Sequence, residues 1–171
     1  MTHDILLVDG YNIIGAWAEL QSLSKQDFSL ARDRLVDMMA EYAAYMGHEV
    51  HIVFDAHQVG GVGKHALHHR VHVIYTRKKE TADERIEKLV TTMKRIDRRI
   101  YVATSDFAEQ SVIFGSGALR KSAHELQREM KLVMKGIDKT IEKKQRTQQS
   151  SKIQLSTEVA EVFERWRREG K

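Results

Sequence analysis

The chain of 171 residues contains no cysteine and no proline, and aromatic residues make up only 7% of it. The missing cysteines exclude a disulfide framework, a thiolate zinc site and a cysteine nucleophile. Without proline, every turn must rely on glycine or on Asn, Asp and Ser side chains. No run approaches the ~18 apolar residues that a membrane span requires. The N-terminus lacks the basic start, apolar stretch and small-residue cleavage site of a signal peptide, so a cytoplasmic protein without a membrane partner is expected. There is no GxxxxGK[ST] loop. Gly60, Gly61 and Gly63 do not form a GxGxxG fingerprint, which argues against a nucleotide cofactor.

What is present fits a folded domain with a sizeable core: 42% apolar and 30% charged residues. The net charge of +4 is unevenly spread. Residues 1–119 hold 14 basic against 16 acidic side chains, and residues 120–171 hold 14 against 8. A basic C-terminal third points to a phosphate-rich partner or to an ordinary solvated helix surface, and charge alone does not choose between them.

Residues 4–9 (Asp-Ile-Leu-Leu-Val-Asp) read as a strand buried on both faces, followed by a loop. Asp27 can cap a helix with Leu30, Leu35, Met38, Met39, Tyr42 and Met46 on its apolar face, stopped by Gly47. Residues 50–54, 71–75 and 100–103 read as further strands, and 56–70 as a Gly- and His-rich loop. Thr81-Ala-Asp-Glu84 has capping-box spacing and opens a helix carrying Ile86, Leu89, Val90 and Met93. Strands alternating with such helices predict an α/β fold, a mostly parallel sheet covered on both faces. From Leu119 to Ile141 apolar residues recur every three or four positions, predicting one long helix near 118–142. Residues 145–152 read as a polar linker, and a last helix from near Ser156 carries Val159, Phe163 and Trp166.

Three of these strands end at or just before an aspartate: Asp9, Asp55 and Asp106. Asp83 lies in the first turn of the helix after the third strand. In an open parallel sheet, the carboxyl ends of the strands line one crevice where ligands bind. Four carboxylates gathered there repel each other unless a cation neutralises them. An oxygen-only ligand set selects a hard divalent ion, Mg²⁺ or Mn²⁺, suited to activating water and stabilising charge during phosphodiester cleavage. Taken singly, each has a structural explanation: Asp83 complementing a helix dipole, Asp106 as an N-cap, Asp55 starting a turn. Asn12, three residues past Asp9, can orient Asp9 or a water, and Ser105 can cap a helix or position water.

Asp9-Gly-Tyr-Asn-Ile-Ile-Gly15, Val-Phe-Asp-Ala-His57, Thr81-Ala-Asp-Glu-Arg85 and Val-Ala-Thr-Ser-Asp106 resemble, in order and spacing, the YacP-type NYN-domain family, a branch of the PIN-like nuclease superfamily. The resemblance implies a PIN-like three-layer α/β/α sandwich and a metal-dependent endoribonuclease. Asp9, Asn12, Asp83 and Asp106 match the family's acidic site, and Asp55 falls in a further family motif. It also implies cleavage of mRNA in association with the translating ribosome. On this reading residues 1–144 form the nuclease domain and 145–171 the linker and basic C-terminal helical extension. The sequence departs from the family pattern in lacking prolines after Trp17 and after Asp55.

Basic groups flank the expected site: Arg77, Lys78 and Lys79 before the Asp83 helix, and Arg120 and Lys121 after Gly115-Ser-Gly117. Lys64 and Arg70 lie in a tract, 57–72, that holds five of the nine histidines; His48 and His51 lie just ahead of it. Such cations can hold phosphates on either side of a scissile one, and the His-rich tract reads more readily as an RNA-touching or solvated loop than as a transition-metal site. Tyr11 and Trp17 can stack on an unpaired base or belong to the core. The expected activity is hydrolysis of single-stranded RNA with water as nucleophile. The competing expectations are a non-catalytic RNA- or ribosome-binding module on the same scaffold and, more remotely, an aspartyl phosphatase. That chemistry normally places a second acid two residues after the first, where Tyr11 stands. The oligomeric state is not written in the sequence.

Overall fold

The four residues ahead of Asp9, Ile5 to Val8, have no exposed surface. They place strand β1 (Ile5–Asp9) in the interior of a six-stranded sheet, between β2 (Glu49–Phe54) and β5 (Ile100–Ala103). Beyond β2 lie β4 (Val71–Tyr75) and the edge strand β3 (His65–His68), and beyond β5 lies β6 (Leu119–Lys121). All neighbours run parallel except β3, which pairs antiparallel with β4. This computed structural model describes residues 3–56, 65–68, 70–106 and 116–169. Lys64, His57, His69 and Gly60, Gly61 and Gly63 lie outside the described residues.

Strand pleating sends alternate side chains to opposite faces. On one face Ile5, Leu7, Val53, Ile74, Ile100 and Val102 form a core with Ala82, Ile86 and Val90 of helix α4 (Ala82–Met93). Leu6, Val8, Val50, Ile52 and Phe54 face the other way and are fully buried. That side holds α1 (Gly10–Ala16), α2 (Ala18–Gln26), α3 (Phe28–Met46) and the first turns of α5 (Ala123–Glu169). The indole Nε1 of Trp17 donates to the Ala123 carbonyl at 2.9 Å, and the Tyr42 hydroxyl donates to Glu129 at 2.9 Å, joining these helices. The result is the three-layer α/β/α arrangement expected from the sequence.

Four local differences from the expected elements have identifiable causes. Residues 10–16 and 18–26 are helical rather than a loop, because Asp9 caps α1 and Ile13, Ile14, Trp17 and Leu20 give one buried face. Part of the 56–70 tract is strand, since β3 completes the ladder with β4. The last helix begins at Ala123, not near 118. Ser122 accepts from the Glu125 backbone N–H at 3.1 Å while Glu125 accepts from the Ser122 N–H at 2.6 Å, a capping box that leaves Leu119–Lys121 free to pair with β5. The backbone is helical through 145–152, a tract with neither proline nor glycine to interrupt it.

The chain forms two compact units, Met1–Val133 and Met134–Lys171. The second is helical throughout its described residues, and in it Phe163 and Trp166 meet edge to face with ring centroids 6.2 Å apart. Among the described residues no helix is long and apolar enough to cross a membrane.

Candidate functional site

Because β1, β2 and β5 are parallel, their carboxyl ends open on one edge of the sheet. Asp9 pairs with Val53 across β1 and β2, and Val8 with Ala103 across β1 and β5. Asp9, Asp55 and Asp106 therefore emerge at or just past neighbouring strand ends. Helix α4 starts after β4 leaves the sheet, and its capping box holds Asp83 in the first turn. Thr81 accepts from the Glu84 N–H at 3.2 Å and Glu84 accepts from the Thr81 N–H at 3.1 Å.

Asp9 is the deepest of the set, 8% exposed. Burial pushes its carboxyl up to about 7, opposed by the Asn12 backbone N–H and reinforced by the charges of Asp83, Asp55 and Asp106. Burial also raises the Asp83 carboxyl, with Asp106 and Asp55 adding to it. Four aspartates from separate stretches of chain thus feel one another at one edge. Gly10, the first residue of α1, lets the helix start close against β2, because a Cβ there would clash with the Phe54 ring.

Asn12 ties the edge together. Its Oδ1 accepts from both the backbone N–H and the hydroxyl of Ser105, the latter at 2.7 Å, linking α1 to the segment after β5. The hydroxyl of the buried Thr104 accepts from the Asp106 N–H at 3.1 Å. On the β2 side the buried Thr76 accepts from the Ala56 N–H at 2.9 Å and fixes the turn that carries Asp55. Thr76 has no distinctive sequence signal; only the pairing of strand ends reveals it.

The flanking groups divide. Arg77, Lys78, Lys79, Arg70 and Arg120 are exposed. Arg77 and Lys79 line a cleft of about 320 Å³ with Glu80, Glu84, Arg85 and Lys88. Burial acts to raise the Glu80 carboxyl, but the Lys88 ammonium at 2.8 Å and the Arg77 N–H hold it below the usual range. Tyr11 is half-buried between Phe28 and Phe54 and accepts from Arg32 at 3.1 Å. Lys121, expected among the RNA-facing cations, is buried instead, and of the two readings open for Trp17, a stacking ring or a core residue, its burial fits the core. Trp17 is 2% exposed in the core. Lys121 is buried, 2.7 Å from the Glu129 carboxylate and 4.7 Å from the Tyr101 ring centroid. Lys121 faces inward because β6 pairs with β5 and draws this segment into the sheet, and Trp17 because the junction of α1 and α2 packs its indole against the start of α5.

A second polar group lies at the opposite, amino end of the strands. Glu49, His51 and His72 bring their ligand atoms within 4.8 Å of one another, a group able to hold a metal ion among the described residues. The Glu49-Val-His51 spacing, which puts both side chains on one strand face, was the available sequence signal.

Comparison with known proteins bears on this geometry. The family model described as YacP-like NYN domain matches residues 6–168. The chain is 53% identical over 165 residues to the protein named Uncharacterized protein YacP of Bacillus subtilis (strain 168), covering 96% of this chain and 97% of that one. The crystal structure of Rae1 (YacP) from Bacillus subtilis is similar with a TM-score of 0.77 at 53% identity, covering 96% of this chain and 95% of that one. A tryptophan-to-leucine variant of the same protein is similar with a TM-score of 0.74 at 52% identity over 82% of each chain.

Proposed function

The chain belongs to the YacP-like NYN domain family, whose members point to nuclease-type, RNA-related function, and from that premise we propose that it is a metal-dependent endoribonuclease acting on single-stranded RNA. The observation that carries this reading is the convergence of Asp9, Asp83, Asp106 and Asp55 at one sheet edge, where burial and mutual repulsion already raise the Asp9 and Asp83 carboxyls. Such a site favours a hard divalent ion, because oxygen ligands with excess negative charge suit Mg²⁺ or Mn²⁺. Asp9, Asp83 and Asp106 would hold it, with Asp55 as a further ligand. When bound, the ion supplies Lewis-acid activation of water and charge stabilisation at the phosphate.

The chain's own residues do the rest. Asn12, its carbonyl committed to Ser105, offers its amide NH₂ to a phosphate oxygen or to the attacking water. Arg77, Lys78, Lys79, Arg70 and Arg120 offer exposed cations to phosphates on either side of the scissile bond. Lys64 belongs to the same proposed set. Tyr11 presents a half-buried ring beside Asp9, positioned for a base to stack on its exposed part. The natural substrate on this reading is mRNA, met on the translating ribosome in the cytoplasm.

Cleavage of a translated mRNA beside the same naked mRNA tests the proposal, using wild type and Asp9→Asn with Mg²⁺ or Mn²⁺. Wild type is expected to cut, and to cut the translated message preferentially. Asp9→Asn should bind RNA with cleavage reduced more than ~100-fold. Equal cleavage by both proteins would refute the acidic site, and RNA binding without cleavage by wild type would leave a binding module.

A further inference from the structure

We propose that Glu49, His51 and His72 form a second metal site, separate from the aspartate edge and selective for a borderline first-row divalent ion such as Zn²⁺. Glu49 and His51 are two residues apart on β2 and so project from the same face of the sheet. His72 on β4 is the direct register partner of His51. Two ligands at i and i+2 on one strand and a third opposite on its neighbour form a triangle set by backbone spacing alone.

The atoms lie close to coordinating distance. His51 Nε2 is 2.8 Å and His72 Nε2 is 3.9 Å from the same Glu49 oxygen, Oε1. Tetrahedral Zn²⁺ with bonds of ~2.0–2.1 Å spaces its ligands at roughly 3.3 Å. Each separation therefore changes by about half an ångström on loading, one opening and the other closing. The imidazoles stack with centroids 4.3 Å apart and planes 8° apart, so one ring must turn for both lone pairs to converge. His72 is that ring: its side chain is 26% exposed against 5% for His51, and the terminal torsion of histidine is broad. Arg98 lies 3.9 Å from the other Glu49 oxygen, leaving Oε1 to the imidazoles.

The donor set decides the ion. Two imidazoles and one carboxylate suit Zn²⁺, Co²⁺ or Ni²⁺, whereas Mg²⁺ prefers oxygen and keeps its waters. Glu49 at 35% and His72 at 26% side-chain exposure leave the fourth position open to water. The nearest of these ligands, His51, lies four residues before Asp55 along β2, roughly 13 Å at strand rise, too far to share an ion with the aspartates. Its consequence is a clip between β2 and β4, the strands that lead to Asp55 and to the Asp83 helix.

The test is titration of metal-free full-length protein with Zn²⁺ by calorimetry and with Co²⁺ by visible absorption. Wild type, His72→Ala, Glu49→Gln and Asp83→Asn are compared, with circular dichroism to confirm folding. Wild type should bind one Co²⁺ with ligand-field bands that persist in excess Mg²⁺. His72→Ala and Glu49→Gln should each lose roughly 100-fold or more in Zn²⁺ affinity while Asp83→Asn retains it. Absence of Co²⁺ bands in wild type, unchanged affinity in a folded His72→Ala or Glu49→Gln variant, or loss of binding in Asp83→Asn overturns the proposal. None of these readouts depends on RNA cleavage, so the two proposals stand or fall separately.

Discussion

The two ends of one parallel sheet carry opposite chemistry. At the carboxyl end, aspartates from four chain segments crowd together and burial raises the carboxyls of Asp9 and Asp83. At the amino end, acids sit beside bases: Glu49 beside His51, His72 and Arg98, and Asp4 beside Arg99 at 2.8 Å. One end gathers like charges that raise one another's carboxyls, while at the other the named acids stand beside bases. The difference follows from topology. Parallel strands send every crossover helix to start at the carboxyl edge, where loops are free to carry function, and return the chain at the amino edge.

The largest effect that would break this contrast is catalytic. Asp83→Asn, exposed in the first turn of α4, should fold normally and lose more than ~100-fold in cleavage of single-stranded RNA, with Zn²⁺ affinity at the amino end unchanged. Undiminished cleavage would remove the functional distinction between the two ends.

Stability against pH sharpens it next. Asp9 releases its proton near 3.8 when unfolded and at about 7 when folded, so the folded state binds more protons between those values. Asp9's contribution to the stability of the metal-free protein therefore falls as pH rises from about 4 to 7 and levels off above. Asp9→Asn keeps a capping side chain, removes the charge, and should raise stability at pH 8 by on the order of 2 kcal/mol, or roughly 4–8 °C in Tm. Saturating Mg²⁺ should flatten the wild-type fall. Thermal melts at stepped pH with a chelator read this as the gap between Asp9→Asn and wild type, and a gap that does not widen in favour of Asp9→Asn over that window contradicts the raised Asp9 carboxyl.

A smaller effect separates the two ends of the sheet through the cap of α4. Thr81→Ala removes the cap that holds Asp83 in the first turn and should cost about 1 kcal/mol in denaturant titrations. It should also reduce cleavage while leaving Zn²⁺ binding alone. Smallest of all, Arg98→Ala deletes a partly exposed pair at 3.9 Å from Glu49 and should change stability by less than about 1 kcal/mol, with cleavage unaffected. A large loss of cleavage there would mean the two ends are coupled.

Short-range signals carried much of this. The apolar run before Asp9, the capping box at Thr81 and the Gly47 stop after α3 each correspond to an observed element, because capping and periodicity are decided within a few residues. The S-x-x-E cap at Ser122 was equally local, but the apolar spacing that runs on from Leu119 masked it. The two helices after Asp9 were missed because their buried face, Ile13, Ile14, Trp17 and Leu20, spans a break at Trp17 between two short helices.

The amino acids alone determined that this chain makes a mostly parallel α/β sheet with an aspartate at the end of one strand after another, since strand period, helix caps and residue type are local properties. Only the tertiary structure decided which of those groups meet. Strand order set Asp9 beside the ends of β2 and β5, drew Trp17 and Lys121 into the interior, and matched His51 to His72 across two strands. Distance in space depends on register and crossover, which no stretch of sequence specifies by itself.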